Sequence, residues 1–251
     1  MRELKVLADG TPFAGGCRFH LSGKVSLGLY PSLFLLEAWN LSDADAFRLR
    51  NARELSVLRE NSCLAFGQVS DVFRRTVPEG TVTAAAFSLG LDLWEAPVSL
   101  SVPAGVPVSE TVRRLLSASG TGRALLSFPG ADPVFPRAQA FFGRAAECVS
   151  EALSAAGARG ILVPAGLCVV PKEPLPAALR LSEKDLADRP AFVDGGRKMI
   201  LSTAVIGFRP GEEILLEYEN KTASGLIVER LTDADTGTGP WSTQLLVECR
   251  G

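Results

Sequence analysis

A chain of 251 residues, 47% hydrophobic and 22% charged, is long and apolar enough to bury a sizeable core without disulfide or metal staples, and no long polar tract marks part of it as disordered. A formal net charge of −2 supplies no global basic field for a polyphosphate backbone or an anionic membrane. No apolar run reaches the roughly 20 residues of a membrane span, so neither nucleic-acid sequence recognition nor a membrane segment is expected.

The start Met1-Arg2-Glu3, with Lys5 close behind and no apolar run, predicts a product that begins life in the cytosol. From Leu4 to Val102 short apolar or β-branched runs are broken by Gly, Pro and Asn-Ser signals, as in Leu33-Phe-Leu-Leu, Cys63 to Val69 and Val82 to Phe87. This texture predicts an antiparallel sheet or barrel. Ser42-Asp-Ala-Asp interrupts it as the cap of a short helix to Arg50, with Phe47 and Leu49 placed to cover an open end of the sheet.

The middle third changes period. Val112, Leu115 and Leu116 share one face of a helix that Ser109 would cap and Gly120 would end. A second helix is expected from Pro136 to Ala156, with Phe141, Ala145, Cys148, Val149 and Leu153 as its apolar stripe and Gly157 as its stop. Gly160 to Pro171 reads as a hairpin turning near Ala165-Gly166, followed by a linker from Pro171 to Pro176. Strand texture then returns at Met199 to Val205, Ile214 to Tyr218, Gly225 to Arg230 and Gln244 to Glu248. Sheet, helix-strand module and sheet again make an α+β plan with boundaries at 1–100, 101–177 and 178–251.

A catalytic reading needs a constellation of groups. His20 is the lone histidine, between Phe19 and Leu21 in a strand-like segment, where a structural or surface role is expected. The five cysteines, Cys17, Cys63, Cys148, Cys168 and Cys249, are scattered and expected to be reduced and mostly buried, so no metal or cofactor site is anticipated. Ser119-Gly-Thr-Gly-Arg lacks the ending of a phosphate loop and reads as a helix-to-strand turn. The carboxylate pairs Asp43/Asp45, Glu212/Glu213 and Asp233/Asp235 sit in polar, turn-like text that predicts solvated groups. Two other readings stand beside a structural one. Asp235-Thr236-Gly237 matches the Asp-Thr-Gly triplet of aspartic proteases, which would need a dimer to pair two Asp235 side chains. Trp39, Trp94 and Trp241 could serve as stacking platforms of a small-ligand or glycan-binding β module.

Taken in order, several segments resemble the phage tail baseplate hub family, the late control D proteins of myophages and the hubs of contractile injection systems. They are Leu35-Leu-Glu-Ala-Trp-Asn-Leu-Ser, Ala65-Phe-Gly-Gln-Val-Ser, and Leu91 to Gly105 ahead of Ser109-Glu-Thr-Val-Arg-Arg-Leu-Leu. Gly143-Arg-Ala-Ala-Glu-Cys-Val, Leu167-Cys-Val-Val-Pro, Phe208-Arg-Pro-Gly-Glu-Glu-Ile-Leu-Leu and Gly237-Thr-Gly-Pro-Trp-Ser-Thr continue the series. The family's Gly-Leu-Ile-Gly-x-Pro segment is replaced by Ala191-Phe-Val-Asp-Gly-Gly-Arg. The resemblance implies two tube-like antiparallel β-barrels flanking a small α/β insert, in a homotrimer whose six barrels form a pseudo-sixfold ring. It further implies contacts with tail tube, spike and other baseplate proteins, no catalytic residues, and a place in the host cytoplasm before assembly and in a virion tail or tail-like particle after it.

Overall fold

The computed structural model describes residues 3–13, 16–60, 62–78, 80–171, 179–219 and 221–250. Most of the linker expected between Pro171 and Pro176 lies outside them. The chain divides into two compact units, one holding the described residues of 1–25, 32–88 and 177–251, the other those of 26–31 and 89–176.

The first unit is built on β1 (Lys5–Ala8), β2 (Thr11–Pro12), β3 (Arg18–Ser26), β4 (Ser32–Trp39), helix α1 (Asp43–Asn51), β5 (Glu54–Arg59), β6 (Ser62–Val77) and β7 (Gly80–Leu89). The chain re-enters this unit after the second one. In the second unit lie α2 (Leu91–Glu95), β8 (Pro97–Val102), α3 (Val108–Ala118), β9 (Ala124–Ser127), β10 (Gln139–Arg144), α4 (Ala145–Ser154), β11 (Arg159–Val163) and β12 (Gly166–Val170). The return supplies β13 (Leu179–Ser182), β14 (Ala191–Val193), β15 (Lys198–Thr203), β16 (Glu213–Tyr218), β17 (Lys221–Asp235) and β18 (Trp241–Arg250).

Alternation explains the strands of the first unit. In β4 Ser32, Phe34, Leu36 and Ala38 are buried, while Leu33, Leu35, Glu37 and Trp39 are not. In β15 Met199, Leu201 and Thr203 turn inward in the same way, and with Leu181, Phe208, Ile214, Leu216, Ile227, Leu245 and Val247 they form one apolar core. Among the described residues these strands make a single 13-stranded sheet, in the order β14-β15-β18-β17-β3-β4-β7-β6-β5-β1-β2, with β16 on β17 and β13 on β16. The described residues are therefore mostly strand with few helices, and among them the sheets do not close into the two barrels that the resemblance implies. The early and late strands are continuous through the junction of β17 with β3, because β17 is long: its first half pairs with β16, and its far end lies beside β3.

Helix α1 begins where expected, with the Ser42 hydroxyl accepting from the Asp45 N–H at 3.1 Å. Leu49 is fully buried, but Phe47 is 70% exposed, so one of the two residues expected to cover the sheet faces solvent. A nine-residue helix presents only one stripe to its support, and Ala46 and Leu49 occupy it.

In the second unit α3 starts at Val108, and Ser109 lies inside it rather than capping it. Asp132, 23 residues away, takes the capping role, accepting from the Ser109 N–H at 2.9 Å and from its hydroxyl at 2.7 Å. The single helix expected from Pro136 to Ala156 is a strand followed by a helix. β10 pairs antiparallel with β8, and Phe141 is buried beside a Phe142 that is 88% exposed, a period of two rather than 3.6. Helix α4 then carries Ala145, Cys148, Val149 and Leu153 on its buried side. The hairpin β11–β12 turns between Val163 and Gly166, and β12 adds a parallel pairing to β9. The Ser119 to Arg123 segment is the turn between α3 and β9, and Arg123 ends it with a double hydrogen bond to Asp92 at 2.9 and 2.8 Å.

Candidate functional site: an ionic ladder between the early and late strands

Side chains two apart on a strand share a face. On β3 that rule puts Arg18, His20 and Lys24 together, and on β17 it puts Asp235, Asp233 and Glu229 together. The sheet lays the basic row against the acidic one. Arg18 donates through Nε to Asp235 Oδ1 at 2.9 Å and through Nη2 to Oδ2 at 2.5 Å. His20 Nε2 lies 2.6 Å from Asp233 Oδ1, and Lys24 Nζ lies 2.6 Å from Glu229 Oε2. The row extends across β4, where Glu37 sits 3.1 Å from His20 Nδ1 and also accepts from Arg75 of β6. Opposite charges directly across a strand pair are the favourable arrangement, and one-residue slippage would replace every pair.

The segment following β17 closes this ladder. Thr236 exchanges backbone and hydroxyl hydrogen bonds with Phe19, each at 2.9 Å, and the Gly237 N–H donates to Asp235 Oδ1 at 2.7 Å. Close approach explains the two glycines. A Cβ on Gly237 would lie 2.6 Å from Arg18 Nε, and one on Gly239 would lie 2.2 Å from Asp235 Oδ2.

Burial of two of the six carboxylates expected to be solvated is the main correction to the sequence reading. Asp235 is 3% exposed and Glu213 5% exposed, and Glu213 accepts from Arg250 Nη2 at 2.5 Å. Asp233 and Asp235 belong to a strand, and the turn begins only at Thr236. The hydrogen bonds from Arg18 outweigh the effect of burial and hold the Asp235 carboxyl below the ordinary carboxylate range. For His20 burial opposes the charged ring, but hydrogen bonds to Asp233 and Glu37 prevail and raise its pKa above 6.5.

The signs of these shifts set a pH window. The Asp235 contribution is present above the ordinary value of 3.8 and is lost as pH falls through its lowered folded value. The His20 contribution is complete below 6.5 and is lost as pH rises through its raised folded value. Thermal denaturation across pH is therefore expected to show the ladder's full stabilisation between about 4 and 6.5. In His20→Gln the decline on the alkaline side should flatten. An unchanged alkaline limb in that variant would show that His20 is not the titrating group.

This geometry gives Asp235 a structural role. A protease dyad needs two facing carboxylates that share a proton, whereas both oxygens of Asp235 are held by an intramolecular guanidinium and one also by a backbone N–H. The three tryptophans are half-buried and each lies under an arginine of its own chain. Arg18 covers Trp39 at 4.5 Å, Arg144 covers Trp94 at 5.0 Å and Arg59 covers Trp241 at 5.6 Å. The cysteines are free thiols, but only Cys148 is buried and the other four are partly exposed. Among the described residues no His, Cys, Asp and Glu cluster could hold a metal ion, and no helix is long and apolar enough to cross a membrane.

A second buried cation escaped the sequence reading. Arg230, 4% exposed on the inward face of β17, donates to the carbonyls of Phe208 at 2.8 Å and Leu64 at 2.5 Å. It thereby ties β6 to the loop before β16. Burial pulls its pKa down to about 10, which leaves the guanidinium charged at neutral pH.

No protein-family model matches the chain, and no curated protein sequence does. Solved structures do match it. The tail protein from Neisseria meningitidis MC58 superposes with a TM-score of 0.73 at 10% identity, over 98% of this chain and 95% of that one. The prophage MuSo2 tail protein from Shewanella oneidensis gives 0.71 at 10% identity, over 98% and 96%. An E. coli component of the type VI secretion system, with structural similarity to T4 bacteriophage tail proteins gp27 and gp5, gives 0.70 at 10% identity, over 98% of this chain and 77% of that one. The fold of this chain is thus the fold of these tail and secretion-system proteins.

Proposed function

We propose that the chain is a structural subunit of a phage tail or tail-like particle, at the baseplate hub, where it adapts a sixfold tail tube to a threefold spike. The observation that carries the reading is that the likeness to two tail proteins runs through 98% of this chain and nearly all of each of theirs. A fold alone does not fix a function, but the ladder supports the same conclusion: its ionisable groups are committed to one another rather than gathered around a reacting centre. In this reading the chain is not an enzyme. Its strand-rich parts, 1–100 and 178–251, supply the two tube-like walls of each subunit, and 101–177 is the α/β insert. Three copies close a pseudo-sixfold ring through heterologous contacts, bind tube, spike and other baseplate proteins, and pass from the host cytoplasm to the particle.

Light scattering and negative-stain imaging test this directly. The expected result is a ring with three times the 26.6 kDa mass of one chain, formed alone or with tube and spike proteins present. A chain that remains monomeric with those partners would overturn the hub role.

A further inference from the structure

The second unit contains a cleft of about 360 Å³ that the tail reading does not use. Its rim is unusual in combining aromatic, hydroxyl and charged groups on four short segments. Tyr30 and Trp94 form one wall, their rings 5.3 Å apart and tilted by 40°, and Tyr30 is 66% exposed. Glu147, Ser150 and Ser154, spaced along one face of α4, also line the cleft, and Arg159 stands at the start of β11. Leu29 and Leu153, both buried, form an apolar floor.

We propose that this cleft binds one neutral pyranose ring, as a free sugar or as a unit of a glycan. A pyranose has a C–H face that packs on an aromatic ring and an equatorial belt of hydroxyls that needs planar or lone-pair partners. The cleft offers both. Glu147 and Arg159 carry planar groups able to bridge adjacent hydroxyls. The Ser150 and Ser154 hydroxyls donate to the carbonyls of Ala146 and Ser150, each at 2.8 Å, which leaves their lone pairs to accept from a ligand.

Charge argues against the other occupants. Arg144 already lies over Trp94 and Arg159 is at the rim, so a cationic ligand meets two like charges. An anion meets Glu147, whose carboxylate lies 3.7 Å from Arg144. A purely apolar ligand would bury the rim hydroxyls without partners. The volume is at the small end of the range for ligand clefts and suits a single ring.

Saturation-transfer NMR on the full chain, with methyl β-glucopyranoside, methyl β-galactopyranoside and a linear β-glucan tetramer at millimolar concentration, tests the proposal. Saturation should reach one C–H face of the ring, and Tyr30→Ala should weaken binding about tenfold. Because Tyr30 is largely exposed, that variant should keep the wild-type melting temperature; Ser150→Ala/Ser154→Ala provides a second variant that should weaken binding with Tyr30 in place. Equal binding of the monosaccharides and the tetramer assigns a free sugar, and tighter binding of the tetramer assigns a glycan. No transfer to any of the three, transfer unchanged in Tyr30→Ala, or stronger binding of adenosine or lysine methyl ester would overturn it. None of these outcomes depends on whether the chain forms a ring.

Discussion

Arg230→Ala is expected to lower the unfolding free energy by about 3 kcal/mol, measured by urea denaturation with the slope of the transition unchanged. The substitution removes both donors from the carbonyls of Phe208 and Leu64 and leaves a cavity where the guanidinium lay. Against these losses stands one gain, since the desolvated charge disappears with the side chain. The two effects can be separated. Arg230→Met fills most of the volume and also removes the charge, so its cost should fall to about 1 to 2 kcal/mol, which is then the worth of the two unmet carbonyls. If Arg230→Ala costs less than 1 kcal/mol, the guanidinium is not the tie between β6 and the loop before β16.

Strand texture was the most legible property of this sequence. The runs at Leu33, Cys63, Val82, Ile214, Gly225 and Gln244 fall within strands, and the run at Met199 does so as far as Thr203, because apolar alternation and β-branching are local consequences of facing a core. Errors arose where a remote partner decided. Gln139 to Arg144 shares an apolar spacing with the helix that follows, yet pairing with β8, some forty residues earlier, makes it a strand. Ser109 has the chemistry of a cap, but Asp132 reaches the same N–H from a later loop.

The candidate site was harder to see for the same reason. Asp233 and Asp235 precede a Gly-rich turn, and nothing beside them in the chain announces burial. Their partners, His20 and Arg18, lie 213 and 217 residues away. One signal was present in each strand separately: basic residues at 18, 20 and 24, acidic residues at 229, 233 and 235, both at even spacing. Matching the two rows requires knowing that β3 and β17 are neighbours, and that follows from the assembled sheet rather than from either segment.

Breaking the ladder at its most buried rung should have the other large effect, and the two partners should not be equivalent. In Arg18→Met the carboxylate of Asp235 stays buried and loses its guanidinium while keeping the Gly237 N–H, at an expected cost of about 3 kcal/mol at neutral pH. In Asp235→Asn it is Arg18 that loses its charged partner, but its side chain is 36% exposed and can turn to water, so a loss of about 2 kcal/mol is expected. The double variant should cost less than the sum of the two by about 1 to 2 kcal/mol, the coupling of the pair. The pH dependence gives an independent check. Without Arg18 the carboxyl is easier to protonate, so the penalty in Arg18→Met should shrink as pH falls through the ordinary carboxylate range, where the unfolded chain takes up protons that the wild-type pair, with its lowered folded value, still refuses. Strictly additive losses, or a penalty unchanged by pH, would mean that the early and late strands are joined by backbone pairing and packing alone.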